Sequence, residues 1–204
     1  MTSAARLGRP RSSAADEAIV DAAIGLLVEE GYDGLTMEGV ATRAGVGKAT
    51  LYRRYTGKDQ LVMRAAACLT ASDDEPPDTG SLPGDLTALA RSLVHLLTST
   101  AAGGCVAQLV AALPRSAALA DEYDRFVARR RDRVRVAVDR AVARHELTPD
   151  TDAGLVADLL TGPLFYRYLV SREALDERYV DEVVDSVVAS LQATGRLAAT
   201  VSPA

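Results

Sequence analysis

Apolar positions recur along this chain at the spacing of an amphipathic helix, and no stretch sustains the alternation of a half-buried strand. The pattern therefore predicts an all-α protein. A first helix is expected from near Ser13, with Asp16 and Glu17 in its first turn. It carries Ile19, Ala22, Ala23, Leu26 and Leu27 on one face, and Gly31 ends it. Two short helices follow between Thr36 and Tyr55. Thr36 is placed to cap the first of them, with Leu35 and Val40 as the hydrophobic staple that fixes how the chain enters. Val40, Ala41 and Ala44 form its inner face, and Gly45 and Gly47 are expected to supply the positive φ of a tight turn. Val46 and Leu51 then point back into a small core. Lys48, Ala49, Thr50 and Tyr52 remain outside.

A fourth helix from Lys58 to about Ala71 offers Leu61, Val62, Ala65 and Leu69 for packing. The stretch 72–84, with three prolines and four acids, reads as a loop and marks the clearest boundary. The chain thus divides into a basic arm (1–12), a three-helix head with its connecting helix (13–71), the acidic loop (72–84) and a helical remainder (85–204). Helices in that remainder are expected over Asp85 to Thr100, Cys105 to Leu113, Ala117 to His145, Asp152 to Val170 and Leu175 to Thr194. The arm contains Arg6, Arg9 and Arg11 with no acid and too little apolar surface to order itself. It either reaches DNA phosphates or a minor groove, or is a solvated tail.

Charge sharpens the picture of the head. From Arg43 to Arg64 there are six basic residues against the single acid Asp59, a local +5 on a chain whose net charge is −5. Such an island is the footprint of a phosphate-binding face, and an exposed helix of small residues with a lysine and a tyrosine suits a DNA major groove. From residue 65 onward, 14 basic residues face 20 acids, so the remainder is no DNA-binding surface. Each contact has a plainer alternative. Tyr55, near Leu51 on the helical repeat, belongs to the core, Tyr52 could join it, and Lys58 could be a solvated charge.

Leu35-Thr36-Met37, Val46-Gly47-Lys48-Ala49-Thr50-Leu51-Tyr52-Arg53-Arg54-Tyr55 and Lys58-Asp59-Gln60-Leu61 together resemble the DNA-binding domain of the tetracycline-repressor (TetR) family, over roughly residues 12 to 64. The resemblance implies that Lys48, Ala49 and Thr50 open the recognition helix and that Thr36, Tyr52 and Lys58 touch phosphates. Arg54, in the same basic run, is counted with the DNA contacts. Gly47 and Gly57 depart from the family's pattern, standing where a side-chain cap is common.

The last two helices differ in kind from the others. Val180, Val183, Val184, Val187, Val188 and Leu191 form a continuous stripe opposed by acids, and the helix before it is apolar almost all round and interrupted by Gly162-Pro163, where a kink is expected. A second copy of the chain is the natural cover. Thr161 to Leu169 and the helix after it are similar to one C-terminal subgroup of the same family. That similarity implies a four-helix homodimer interface, here Leu160, Phe165 and the Val180–Leu191 stripe, with an effector pocket in the preceding helices. Within the helix from Ala117 to His145, Arg130 falls inside the stripe of Leu119, Tyr123, Phe126, Val127, Val134, Ala137, Val138 and Ala141. Its guanidinium needs an acid such as Asp158, a route to the edge, or a ligand, for which Tyr123, Phe126 and Phe165 would be apolar walls.

Composition excludes other classes. With 48% hydrophobic residues, 4% aromatics and no Trp, the 204 residues suffice for one or two domains with cores of Ala, Val and Leu. Cys68, Cys105, His95 and His145 show no metal spacing, and no nucleophile–base pair, carboxylate dyad or phosphate-cradling loop appears. No catalysis, metal or cofactor is expected. Nothing resembles a signal core, and Ala153 to Val170 is broken by Asp158, Thr161 and Arg167, so a cytoplasmic protein without a membrane span is expected. The function this predicts is a ligand-responsive regulator, most simply a repressor, bound as a homodimer to a palindromic double-stranded operator and released by a small-molecule effector. The rivals are a helical enzyme containing a chance hairpin and a chromosome-structuring DNA binder without a ligand.

Overall fold

The computed structural model describes residues 11–69 and 76–197, so most of the expected arm, the end of the expected fourth helix (70–71) and residues 72–75 of the expected loop lie outside the described residues. In chain order the helices are α1 (Arg11–Gly34), α2 (Met37–Arg43), α3 (Lys48–Tyr52), α4 (Lys58–Leu69), α5 (Leu82–Ser99), α6 (Ala101–Ala112), α7 (Ala117–Ala143), α8 (Ala153–Tyr166) and α9 (Glu177–Ala193). Among the described residues, the sole extended pairing is an isolated bridge between Leu147 and Leu197. The helices gather into two units, one holding the described residues up to Leu69 with Gly104–Tyr123, the other holding the rest.

In the first unit, α1 lies along α4 and against α2, and α2 against α3. The predicted inner positions Ile19, Ala22, Ala23, Leu26 and Leu27 of α1 are buried, as are Val40, Ala41, Leu51, Tyr55, Leu61, Val62 and Ala65. Gly31 breaks the helical path with φ of 72°, and a side chain there would collide with Gln108, so the glycine serves both turn and packing. Thr36 caps α2, its hydroxyl accepting from the Gly39 N–H at 3.1 Å over the buried staple of Leu35 and Val40. Of the two turn glycines, only Gly45 has positive φ, 65°. Gly47 sits at φ −70° as the N-cap of α3 with no side-chain cap bond, a conformation open to any residue.

In the second unit, α5, α8 and α9 pack on one another. Helix α5 starts at Leu82, three residues before the expected Asp85. Ser81 caps it through the Gly84 N–H, and Pro83 occupies the first turn, where its missing N–H costs no helical bond. Asp85 is thereby carried inside. Its fully buried carboxylate accepts from the Thr79 N–H (2.7 Å), the Thr79 hydroxyl (2.8 Å) and Arg144 Nη2 (3.3 Å). Arg144 is also held by Glu146 at 2.6 Å, and Glu146 in turn accepts from the Leu82 N–H. Helix α6 restarts at Ala101 after the single extended residue Thr100, four residues ahead of the expected Cys105.

Three details of this unit go beyond the sequence pattern. Most of the valine stripe is buried within the single chain. Val180, Val183, Val184, Val187 and Leu191 on α9, with Leu160 on α8, are between 1% and 7% exposed within the single chain, because α5 and α8 already cover them. Val188 and Phe165 are half-buried. The uncovered apolar surface lies instead on α8 and the wide π-helical turn Arg167–Ser171 that extends it, at Leu155, Leu159, Tyr166 and Val170, which are 37–62% exposed. Second, α8 carries Pro163 within its length and ends at Tyr166, short of the expected Val170, and the turn beyond is pinned by Arg167, which pairs with Glu173 (2.6 Å) and stacks on Tyr179 (3.6 Å to the ring centroid). Third, Asp158 pairs with Arg131, at 2.5 Å. Arg130 is half-buried, with its guanidinium 6.0 Å from the Phe126 ring one turn away on the same helix. Arg135, further along the same helix, is exposed and paired with Asp132 and Asp139.

Candidate nucleic-acid interface

The capped start of α2 and the start of α3 are brought side by side by the Gly45 turn, and a hydrogen bond of 3.1 Å from Lys48 Nζ to Glu38 Oε1 spans them. Leu51 anchors α3 from beneath, fully buried. Lys48, Ala49 and Tyr52 are exposed, and Thr50 is half-exposed. Tyr52 is 48% exposed, so it does not join the core, whereas Tyr55 is buried, as is Leu51. The outward residues thus combine a cation, two short side chains and an aromatic hydroxyl. That set supplies base-edge donors, methyl contacts and a phosphate partner.

The basic island is less bare than the sequence suggests. Arg43 makes a two-pronged pair with Glu29 at 2.6 and 2.7 Å, and Arg54 pairs with Asp16 and is only 17% exposed. These acids lie outside the basic stretch and reach it through the packing of α1 and α2. The bond from Lys48 holds the Glu38 carboxyl below the usual carboxylate range, as Arg43 does for Glu29. Glu38 is the residue that sequence reasoning passed over. Its spacing of ten residues from Lys48 carries no helical signal, and only the turn brings the two together.

Lys58, at the start of α4, donates to the Tyr32 carbonyl at 3.2 Å and lies 4.3 Å from the Tyr32 ring centroid. Gln60 accepts from the Thr56 N–H at 2.9 Å, supplying a side-chain bond where Gly57 offers none. Tyr32 donates from its hydroxyl to the Asp59 carboxylate, whose other oxygen accepts from Ser116 at 3.0 Å. Burial, and then the carboxylate beside it, push the Tyr32 phenol up to about 12. Ser116 also accepts from the Leu119 N–H at the start of α7, and Arg115 reaches Asp33 at 3.1 Å. The corner between α6 and α7 is thereby tied to the first turn of α4, next to Lys58.

The expected pocket residues Tyr123, Phe126, Arg130 and Phe165 are all half-buried, and the Arg130 guanidinium lies 6.0 Å from the centroid of the Phe126 ring. Cys105 is buried, which raises its thiol, and Cys68 is half-buried. Among the described residues no group of three or more His, Cys, Asp or Glu could hold a metal ion, and no single helix is long and apolar enough to cross a membrane.

Comparisons with known proteins agree with this geometry. Residues 19–65 match the model of the bacterial regulatory proteins of the tetR family, and residues 76–187 match that of the tetracyclin repressor-like C-terminal domain. The chain is 35% identical over 189 residues to the HTH-type transcriptional regulator YdeS of Bacillus subtilis, spanning 92% of this chain and 94% of that one. It is 31% identical to the DNA-binding transcriptional repressor TetR of Mycobacteroides abscessus, over 87% and 94% of the two chains. The crystal structure of the TetR family regulator SCO0332 superposes with a TM-score of 0.72 at 30% identity, covering 86% of this chain and 97% of that one. A capped helix, a glycine turn and an outward basic helix on an all-helical body, matched at both ends of the chain, make this protein a member of the TetR family of ligand-responsive DNA-binding transcriptional regulators, and not an enzyme.

Proposed function

We propose that the protein is a homodimeric repressor that holds a roughly palindromic operator and releases it when a small molecule binds among the helices of residues 85–204. The observation that carries this reading is the outward surface of α3, where Lys48, Ala49, Thr50 and Tyr52 stand clear of a core closed by Leu51. In this reading Lys48, Ala49 and Thr50 meet base edges, and Thr36, Tyr52 and Lys58 meet phosphates. Arg54 contributes only by exchanging Asp16 for a phosphate. Two copies place their recognition helices in successive major grooves, about 34 Å apart or a multiple of it. The uncovered face of Leu155, Leu159, Tyr166 and Val170 supports the pairing of copies, since an apolar strip of this kind is costly in water.

Tyr123, Phe126, Arg130 and Phe165 are the proposed effector contacts, with Arg130 selecting an anionic or carbonyl-bearing group. The bonds among Ser116, Asp59, Tyr32 and Lys58 support a route for release: a shift of the α6–α7 corner pulls on Asp59 and moves the neighbouring phosphate ligand. An effector acts this way only through its differential affinity for the two arrangements. Selection of binding sites from a random duplex pool should return an inverted repeat. Lys58→Ala should weaken binding to every selected sequence alike and reduce the salt slope by roughly one. Recovery of no enriched sequence would overturn the reading.

A further inference from the structure

We propose that Glu38 and Lys48 act as one acid–base pair that reads a single G·C base pair, with Lys48 donating to the guanine and Glu38 accepting from the cytosine amino group. The inference rests on the DNA-binding reading above and deepens it. The two side chains come from different helices, are 54% and 63% exposed, and are joined by a bond of 3.1 Å. In the major groove, guanine presents N7 and O6 as acceptors and its cytosine presents the N4 amino group as a donor. O6 and N4 are themselves hydrogen-bonded, at about 2.9 Å. A lysine and a glutamate held 3.1 Å apart therefore face an acceptor and a donor at nearly the same separation.

The valences also fit. An ammonium has three donors, so Lys48 can keep Glu38 and still reach the guanine. A carboxylate has about four acceptor sites, so Glu38 can keep Lys48 and still take an N4 proton. Other base pairs fit worse. With Lys48 over the purine, an A·T pair sets its N6 donor against the ammonium and its O4 acceptor against the carboxylate. The reversed T·A pair offers O4 and N6 in the right order, but brings adenine N7 toward the carboxylate and the thymine methyl toward the ammonium. A C·G pair reverses both partners. Glu38 has a second consequence: it repels phosphates beside the exposed lysine of α3, so Lys48 does not strengthen binding to all DNA alike.

The experiment is site selection from a random duplex pool with the wild-type protein, Glu38→Gln and Lys48→Met, together with binding of each to mixed-sequence duplex across a salt series. Both side chains are exposed, and circular dichroism checks that the variants fold. The wild type should show one position per half-site held to G·C by roughly 5- to 100-fold over other pairs. Glu38→Gln should relax that position while leaving the others unchanged. It should also tighten binding to mixed-sequence DNA severalfold. Lys48→Met should relax the same position without that tightening. An unchanged preference in Glu38→Gln, or a wild-type motif with no such G·C position, would reduce the pair to a surface ion pair and leave the operator reading standing. A wild-type selection with no motif at all overturns both.

Discussion

Two double substitutions separate the subunit's own core from the face it leaves uncovered. In Val184→Ala with Val187→Ala, each change removes two methyl groups from a side chain only 2–3% exposed, between α9 and the helices that cover it. At about 0.8 kcal/mol per buried CH2, the transfer term is about 1.6 kcal/mol per site, and the residual cavity raises it to about 2 kcal/mol. The two sites share neighbours one turn apart, so the pair should cost roughly 3 to 4 kcal/mol without strict additivity. That is a large share of a typical stability of about 5 to 15 kcal/mol. Leu159→Glu with Tyr166→Glu should act in the opposite way. Both side chains already reach water in the single chain, so the subunit should lose less than about 1 kcal/mol. Between two copies, each glutamate would be buried without a partner, and the dimer should dissociate. Sedimentation velocity gives the assembly state, and urea unfolding followed by circular dichroism gives the stability. The alanine pair should stay dimeric with a lowered midpoint. The glutamate pair should be a folded monomer whose midpoint no longer depends on protein concentration. A glutamate pair that remains dimeric, or an alanine pair that dissociates with its stability intact, would refute the assignment of the two faces.

Asp85→Asn keeps one oxygen for Thr79 but turns an amide toward Arg144, so it should cost about 2 to 4 kcal/mol in urea unfolding; a loss under about 0.5 kcal/mol would show that the buried carboxylate is dispensable. Tyr32 has a folded pKa raised to about 12 against an unfolded value of about 10. Below pH 10 both states hold the proton and the contribution of Tyr32 is complete. Between about pH 10 and 12 the unfolded chain releases its proton first, so stability falls across that window. The difference in stability between the wild type and Tyr32→Phe should shrink over the same range, and a constant difference would place the cause of the shift elsewhere.

Much of this protein is legible in its sequence because local rules decide it. The helical period, the Thr36 cap with its Leu35–Val40 staple, the stop at Gly31 and the turn at Gly45 depend on residues within a few positions of one another, and each stands where the pattern puts it. The outward set on α3 follows from the same period. Where the local rule is ambiguous, a boundary shifts: a proline and a glycine after Ser81 look like loop, yet both fit a first helical turn. What the sequence left undecided turns on which surfaces meet. An apolar stripe states that something covers it and not what. The α9 valines are covered by α5 and α8 of the same chain, which leaves α8 with the exposed face. Charge is likewise a tertiary property. The +5 island holds along the chain, but Glu29, Glu38 and Asp16 arrive from other parts of the fold to neutralise Arg43, Lys48 and Arg54. Arg131 pairs with Asp158, and the Arg130 guanidinium lies 6.0 Å from the Phe126 ring one turn away, details of adjacent residues that helical spacing cannot assign. Periodicity specifies which side of a helix is buried, and only the packing of helices far apart in sequence specifies against what.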